Sequence, residues 1–139
     1  MGVEQEDVLY TWLKDDGEGL CPRFIVIVDH DSLSIILAIR GTFSLKDVIM
    51  DMVCEEAPYL DGFTHQGILT GARRVWVEAC DSIISALNVH SGYNLVVTGH
   101  SLGAGVAVLI TLELLLGEST SALPVGTDVR CIALASHQC

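Results

Sequence analysis

The sequence predicts an α/β fold, a mainly parallel sheet with helices on its faces, and three observations lead there. Four short apolar runs rich in β-branched residues read as strands: "RFIVIV" at 23–28, "LSIILAI" at 33–39, "LVVTG" at 95–99 and "DVRCIALAS" at 128–136. Between the second and third, apolar residues at 68, 69, 72, 75, 76, 79, 80, 83, 84 and 87 repeat at the helical period. In "LVVTGHSLGAGVAVLI", residues 95–110, the apolar rhythm then changes at one serine set between glycines. Helical crossovers between apolar strands bring those strands together in parallel.

Taken in order, residues 1–22 are mixed and acidic and end in "DDGEGLCP", a loop signal. The two runs that follow are joined by "DHDS", short enough to make them a hairpin, and their continuous apolar character suggests a sheet covered on its faces. After "RGT", Leu45, Val48, Ile49 and Met52 fall on one helical face, with Ser44 as N-cap. "CEEAPYLDGFTH", 54–65, reads as a loop, and 66–90 as a long amphipathic helix. "SGYN" turns the chain into the strand at 95–99, residues 102–116 form a helix, "GESTSALPVGT" is a loop, and the last run is a strand. This divides the chain into an acidic segment, 1–23, and one domain, 24–139.

Composition narrows the function. Half of the 139 residues are hydrophobic, which rules out a disordered chain. A formal net charge of −11 argues against a nucleic-acid partner and shows no polybasic stretch for anionic lipid, so any contact with a membrane surface is expected to be apolar. The acidic start "MGVEQEDVLYTW" lacks the apolar core of a signal peptide, and the apolar run 95–116 is broken by Thr98, His100, Ser101 and Glu113, so no transmembrane segment is expected. The expected location is cytoplasmic or peripheral to a membrane. Five cysteines at 21, 54, 80, 131 and 139 have no metal-ligand spacing and are expected as free thiols, Cys54 and Cys80 as packing residues. Neither a metal nor another cofactor is expected.

The chemistry centres on "GHSLG", residues 99–103. A strand that turns into a helix within a residue or two leaves the serine between them in a strained conformation, with its hydroxyl above the sheet. Glycines two residues to either side, Gly99 and Gly103, remove the β-carbons that would collide where strand and helix cross. The new helix directs free backbone N–H groups at a developing anion. Acyl transfer needs two such donors on the tetrahedral oxyanion. The N–H of Leu102 would be one, and Thr42 in "IRGTFS" could supply the second; alternatively Thr42 only caps the next helix.

Other polar residues have plainer readings. Asp47 and Asp51, one turn apart, read as a solvated helix face, with Asp51 also able to pair with Arg40. His30 reads as a turn residue, His65 as a structural hydrogen-bonding group, Trp76 as core, and Arg73 and Arg74 as solvent-facing charges.

"AIRGTFSLKDVIMDM", "THQGI" and "VVTGHSLGAGVAVLITLEL", in this order and spacing, resemble the class 3 (fungal-type) lipases of the α/β-hydrolase superfamily, and the "RGTxSxxDxxxD" form resembles the sn-1-specific diacylglycerol lipases. The resemblance covers roughly residues 24–135. It implies Ser101 as nucleophile, Thr42 and Leu102 as the oxyanion hole, an acylglycerol substrate, and a site-covering segment near residues 42–53.

The family's triad continues with an aspartate and then a histidine beyond further strands. Only 38 residues follow Ser101, Glu113 and Asp128 are not placed to orient a histidine, and His137 comes one strand too early. His65 and His100 match motif positions that are not the general base. The expectation is therefore the nucleophile-bearing front half of a serine lipase, hydrolysing acylglycerol esters through a Ser101 acyl-enzyme but inactive by itself. The alternatives are a catalytically incomplete fragment and a lipid-binding module.

Overall fold

A computed structural model describes residues 4–14, 21–41, 56–117 and 123–134. Seven strands and two long helices are present among them: β1 (Val8–Trp12), β2 (Phe24–Asp29), β3 (Ser34–Ile39), β4 (Glu56–Tyr59), β5 (Gly62–His65), α1 (Gln66–Val89), β6 (Asn94–His100), α2 (Leu102–Leu116) and β7 (Val129–Leu134). One 3-10 turn, Gln5–Asp7, precedes β1. The main sheet has the order β1-β2-β3-β6-β7, and β4 and β5 form a separate pair.

The pairings β3–β6 and β6–β7 are parallel, and β1–β2 and β2–β3 are antiparallel. Four strands therefore run the same way and β2 alone opposes them. The β2–β3 hairpin is the one expected from "DHDS". Its turn is held by Asp29, whose carboxylate accepts from the Ser32 hydroxyl at 2.5 Å and from the Asp31 N–H at 3.2 Å. That hydroxyl bond holds the Asp29 carboxyl below its usual pKa.

Two elements differ from the sequence expectation. Val8–Trp12 lies in the acidic segment read as mixed and loop-like, yet it joins the sheet as an outer strand. Tyr10 and Trp12 are drawn onto the covered face, where both stack on Phe24 with ring centroids 5.9 and 6.3 Å away. Residues 56–65, expected as loop, form the β4–β5 hairpin. Leu60 at φ +50 and Asp61 make the tight turn that lets the two short strands pair. The expected helix over 44–53, with Ser44, Asp47 and Asp51, and residues Cys54, His137 and Cys139 lie outside the described residues.

Strand register determines which side chains form the core. Phe24, Ile39 and Gly99 share one row, Val26, Leu37 and Val97 the next, and Val28, Ile35 and Leu95 the third. All of these are buried, and Val26, Ile35, Leu37, Leu95 and Val97 are fully so. Both helices pack on this face. α1 contributes Leu69, Ala72, Val75, Ala79, Ile83 and Leu87, the stripe its periodicity predicted. α2 contributes Val106, Ala107, Ile110 and Leu114. On the other face Ile25, Ile27, Ile36 and Val96 are only half-buried. Among the described residues, then, the helices cover one side of the sheet.

α2 is apolar around most of its girth because it is sandwiched between β6, β7 and α1. No helix of the described residues is long and apolar enough to cross a membrane.

The register makes a direct prediction. Leu37→Ala deletes a fully buried side chain from the central strand and should destabilise the chain by about 3 kcal/mol. Ile36→Ala, one residue away on the other face, should cost less than half as much. Urea unfolding of the two variants checks this, and equal losses would mean that the core face has been misassigned.

Candidate active site

β6 ends at His100 and α2 begins at Leu102, so Ser101 alone makes the turn. Its torsion angles are φ +58° and ψ −122°, a backbone region that a β-carbon strains and that glycine occupies freely. Strand, strained serine and helix follow one another as "GHSLG" predicts. The Ser101 N–H bonds the Leu134 carbonyl at 3.0 Å, fixing the turn against the end of β7. Its carbonyl accepts from the Ala104 N–H at 3.0 Å, closing the first turn of α2. Ser101 occupies the N-cap position, yet its hydroxyl makes no capping bond to the helix. Among the described residues, then, the hydroxyl is not committed to the helix cap.

The flanking glycines act through close backbone contact. A β-carbon at Gly99 would collide with the carbonyl of Gly103, where the strand passes beneath its own helix. At Gly103 it would stand 2.5 Å from the Ile39 carbonyl oxygen and 3.1 Å from the Arg40 carbonyl carbon, so the first turn of α2 rests on the end of β3. At Gly41 it would collide with the His100 carbonyl oxygen and come within 3.2 Å of the Ser101 β-carbon. Gly41 therefore brings the chain leaving β3 against the serine. Gly41 was not singled out in the sequence; "RGT" beside a strand end was its only signal.

Thr42, the expected second oxyanion donor, follows Gly41 directly and lies outside the described residues, as does the segment 42–53. Leu102 is the first residue of α2, at its N-terminus. The described histidines lie elsewhere or serve other contacts. His65 caps α1, its Nδ1 accepting from the Gly67 N–H at 3.1 Å, while its Nε2 is buried without a partner among the described residues. His100 is exposed. His30 is more than a bland turn residue: its Nδ1 meets the Tyr93 hydroxyl at 2.8 Å, and its ring stands 5.4 Å from that of His90. That cluster lies at the start of β6, the end of the sheet away from Ser101. Among the described residues, no hydrogen bond joins the Ser101 hydroxyl to an imidazole.

Around the elbow, the helices lock to one another. Ile68 in the first turn of α1 lies 3.4 Å from where a β-carbon on Gly105 of α2 would stand. The Tyr59 hydroxyl, from β4, donates to the Leu109 carbonyl at 3.3 Å. Burial, with Glu113 nearby, pushes the Tyr59 hydroxyl above its usual pKa, which keeps it a donor. Trp76, expected in the core, is half-buried and lines a hollow of about 440 Å³ between α1 and α2, with the Arg73–Glu113 pair at 3.8 Å on its rim. Among the described residues no group of His, Cys, Asp or Glu could hold a metal ion, and Cys21, Cys80 and Cys131 are free thiols. Burial pushes the half-buried Cys80 thiol up, consistent with a packing role.

Comparison with known proteins identifies the family of this chain. The family described as "Lipase (class 3)" matches residues 36–139. Diacylglycerol lipase-beta of Mus musculus is 40% identical over 121 residues, a match that covers 81% of this chain and 18% of that protein. Secreted mono- and diacylglycerol lipase A of Penicillium camembertii is 34% identical over 95 residues, covering 64% of this chain and 30% of the relative. Among solved structures, the Lip2 lipase of Yarrowia lipolytica superposes with a TM-score of 0.66 at 27% identity, over 77% of this chain and 41% of that one. The Rhizomucor miehei lipase propeptide complex gives 0.71 at 24% identity, over 89% and 39%, and shows the shared α/β-hydrolase fold. The chain spans less than half the length of each of these relatives.

Strain at Ser101 has a measurable consequence. Ser101→Gly relieves the positive φ, whereas Ser101→Ala keeps the β-carbon and the strain. The glycine variant should be the more stable of the two by about 1 kcal/mol in urea unfolding. An alanine variant as stable as the glycine one would mean that the serine backbone is unstrained. Gly103→Ala, which sets a methyl against the Ile39 carbonyl, should be less stable than the wild type by about 1–3 kcal/mol.

Proposed function

The chain belongs to the class 3 lipases, and from that membership we propose that it carries the nucleophile of an acylglycerol ester hydrolase of the diacylglycerol lipase type. Ser101 Oγ attacks the ester carbonyl, the alcohol leaves, and water then releases the fatty acid from the acyl-enzyme. One observation carries the reading: a serine held at φ +58° between strand and helix, with its hydroxyl uncommitted to the cap. A strained residue costing about 1–3 kcal/mol persists where its position is functionally needed, and an ordinary Gly/Ser turn has no such need.

The oxyanion that forms in this step would be met by the N–H of Leu102 and by Thr42. The contact of Gly41 with Ser101 and His100 supports Thr42, because it brings the chain leaving β3 to the nucleophile. Two preorganised donors of this kind contribute several kcal/mol to an acyl transfer. The substrate class rests on the named relatives, of which diacylglycerol lipase-beta is 40% identical to this chain. No described side chain is placed to take the Ser101 proton, and a serine hydroxyl without a base is a weak nucleophile at neutral pH. His137, outside the described residues, comes one strand too early in the sequence to serve as that base, so the reading includes a chain that reacts slowly by itself.

Turnover of dispersed diacylglycerol by the purified 139-residue chain, measured beside Ser101→Ala, tests this. Loss of the base typically removes most of the rate, so the two should differ by far less than the millionfold that separates an intact triad from none. Robust turnover abolished by Ser101→Ala would show a base within the chain and contradict the slow reaction. Robust turnover that survives the substitution would contradict the nucleophile.

A further inference from the structure

The chain has seven Lys and Arg residues against eighteen Asp and Glu, and no run of its sequence is polybasic. Folding nevertheless gathers three of the seven cations. Lys14, Arg73 and Arg74 line one hollow of about 510 Å³, between the end of β1 and the first turns of α1, together with Trp12, Cys21, Thr70, Val77 and Glu78. Glu78 is the acid in this set, and it accepts from the Tyr10 hydroxyl at 3.5 Å. Lys14 Nζ stands 5.3 Å above the Trp12 ring. Arg73 reaches Glu113 at 3.8 Å with 64% of its side chain exposed, an arrangement that solvent screens heavily. Arg74 is already engaged within the chain. Trp12 Nε1, in contrast, is a buried donor without a partner among the described residues.

Two further features give this hollow a direction. Leu13, next to Trp12, is 66% exposed, and Val77 on its wall is 68% exposed. An indole, aliphatic side chains and cations together suit the boundary between lipid headgroups and acyl chains. The strand register places the hollow at the elbow end of the sheet, since Trp12 pairs with Phe24, Phe24 with Ile39, and Ile39 with Gly99. Three strand spacings, about 14 Å, separate that row's ends.

We propose that this hollow docks the headgroup of an anionic phospholipid. The cations meet the phosphate, Leu13 and Val77 enter the apolar margin, and the end of the sheet bearing Ser101 comes to rest near the bilayer surface. A free phosphate would use the same cations but would leave the exposed Val77 in the wall, and Leu13 next to Trp12 in the chain, in water, which favours the lipid. The overall charge of −11 works against an anionic surface, but at physiological salt it is screened beyond about 8 Å, so the charges lining the hollow weigh most. The proposed contact thus combines cationic groups with the apolar ones that the composition suggests.

Vesicle co-sedimentation at physiological salt tests the proposal, with every variant carrying Ser101→Ala so that hydrolysis plays no part. The chain should partition onto phosphatidylcholine vesicles containing phosphatidylserine and far less onto phosphatidylcholine alone. Lys14→Gln and Arg73→Gln should each weaken that partition roughly fivefold. Arg130→Gln, which removes an exposed cation from β7 at the far side of the sheet, should leave it unchanged. In the Trp76→Phe background, which leaves Trp12 as the one indole, emission should shift to the blue on docking. Equal binding to both vesicle types, or an Arg130→Gln loss as large as that of Arg73→Gln, would overturn the proposal. So would glycerol phosphate shifting the Trp12 emission while the chain ignores anionic vesicles, since the site would then take a soluble anion.

Discussion

Everything at this site depends on backbone touching backbone. Strand β6 passes beneath the first turn of α2, and that turn rests on the end of β3, with contacts at Gly99 and Gly103 too close for any β-carbon. Because the helix cannot lift away, α2 starts directly above the sheet and Ser101 is left to make the whole reversal by itself. The same closeness draws Gly41 against His100 and Ser101, so two chain segments far apart in sequence meet at one point. A single methyl at either elbow glycine would push the helix off β3 and separate the parts.

Such an arrangement costs free energy and the core has to offset it. A residue held at positive φ with a β-carbon costs about 1–3 kcal/mol. Fully burying one Val, Leu or Ile returns about 1.5–3 kcal/mol. Ile35, Leu37, Leu95 and Val97 lie on the two strands that lead into the site, and each is fully buried. The strain is thus small beside the packing immediately beneath it. The parallel register of β3 with β6 then carries the position of one strand end to the other, Ile39 opposite Gly99.

Some of this was legible in the sequence, and the limits have physical causes. The two long helices and the elbow were readable because each is a local pattern: the 3.6-residue stripe of α1, and the switch of rhythm at Ser101. β1 was harder, because its alternation of Tyr10 and Trp12 with exposed Leu9 and Thr11 is short and sits among acids. The β4–β5 hairpin holds Pro58, Asp61 and Gly62, residues that signal a turn more strongly than their neighbours signal strand. The role of Gly41 and the gathering of Lys14 with Arg73 and Arg74 depend on which segments become neighbours. Single-sequence periodicity carries no information about that. Thr42, named from the sequence, lies outside the described residues, and only its neighbour Gly41 is seen against Ser101.

That Ser101 is set up to react is the central proposal, and peptide mapping after exposure to an activated short-chain p-nitrophenyl ester tests it most directly. In the reaction the Oγ–acyl bond forms, the bond to p-nitrophenolate breaks, and the hydroxyl proton passes to solvent. Slow, stoichiometric acylation of the peptide containing Ser101, with the other serines unmodified, is the predicted result. Acyl groups spread over exposed serines and lysines, with Ser101 unlabelled, would contradict it.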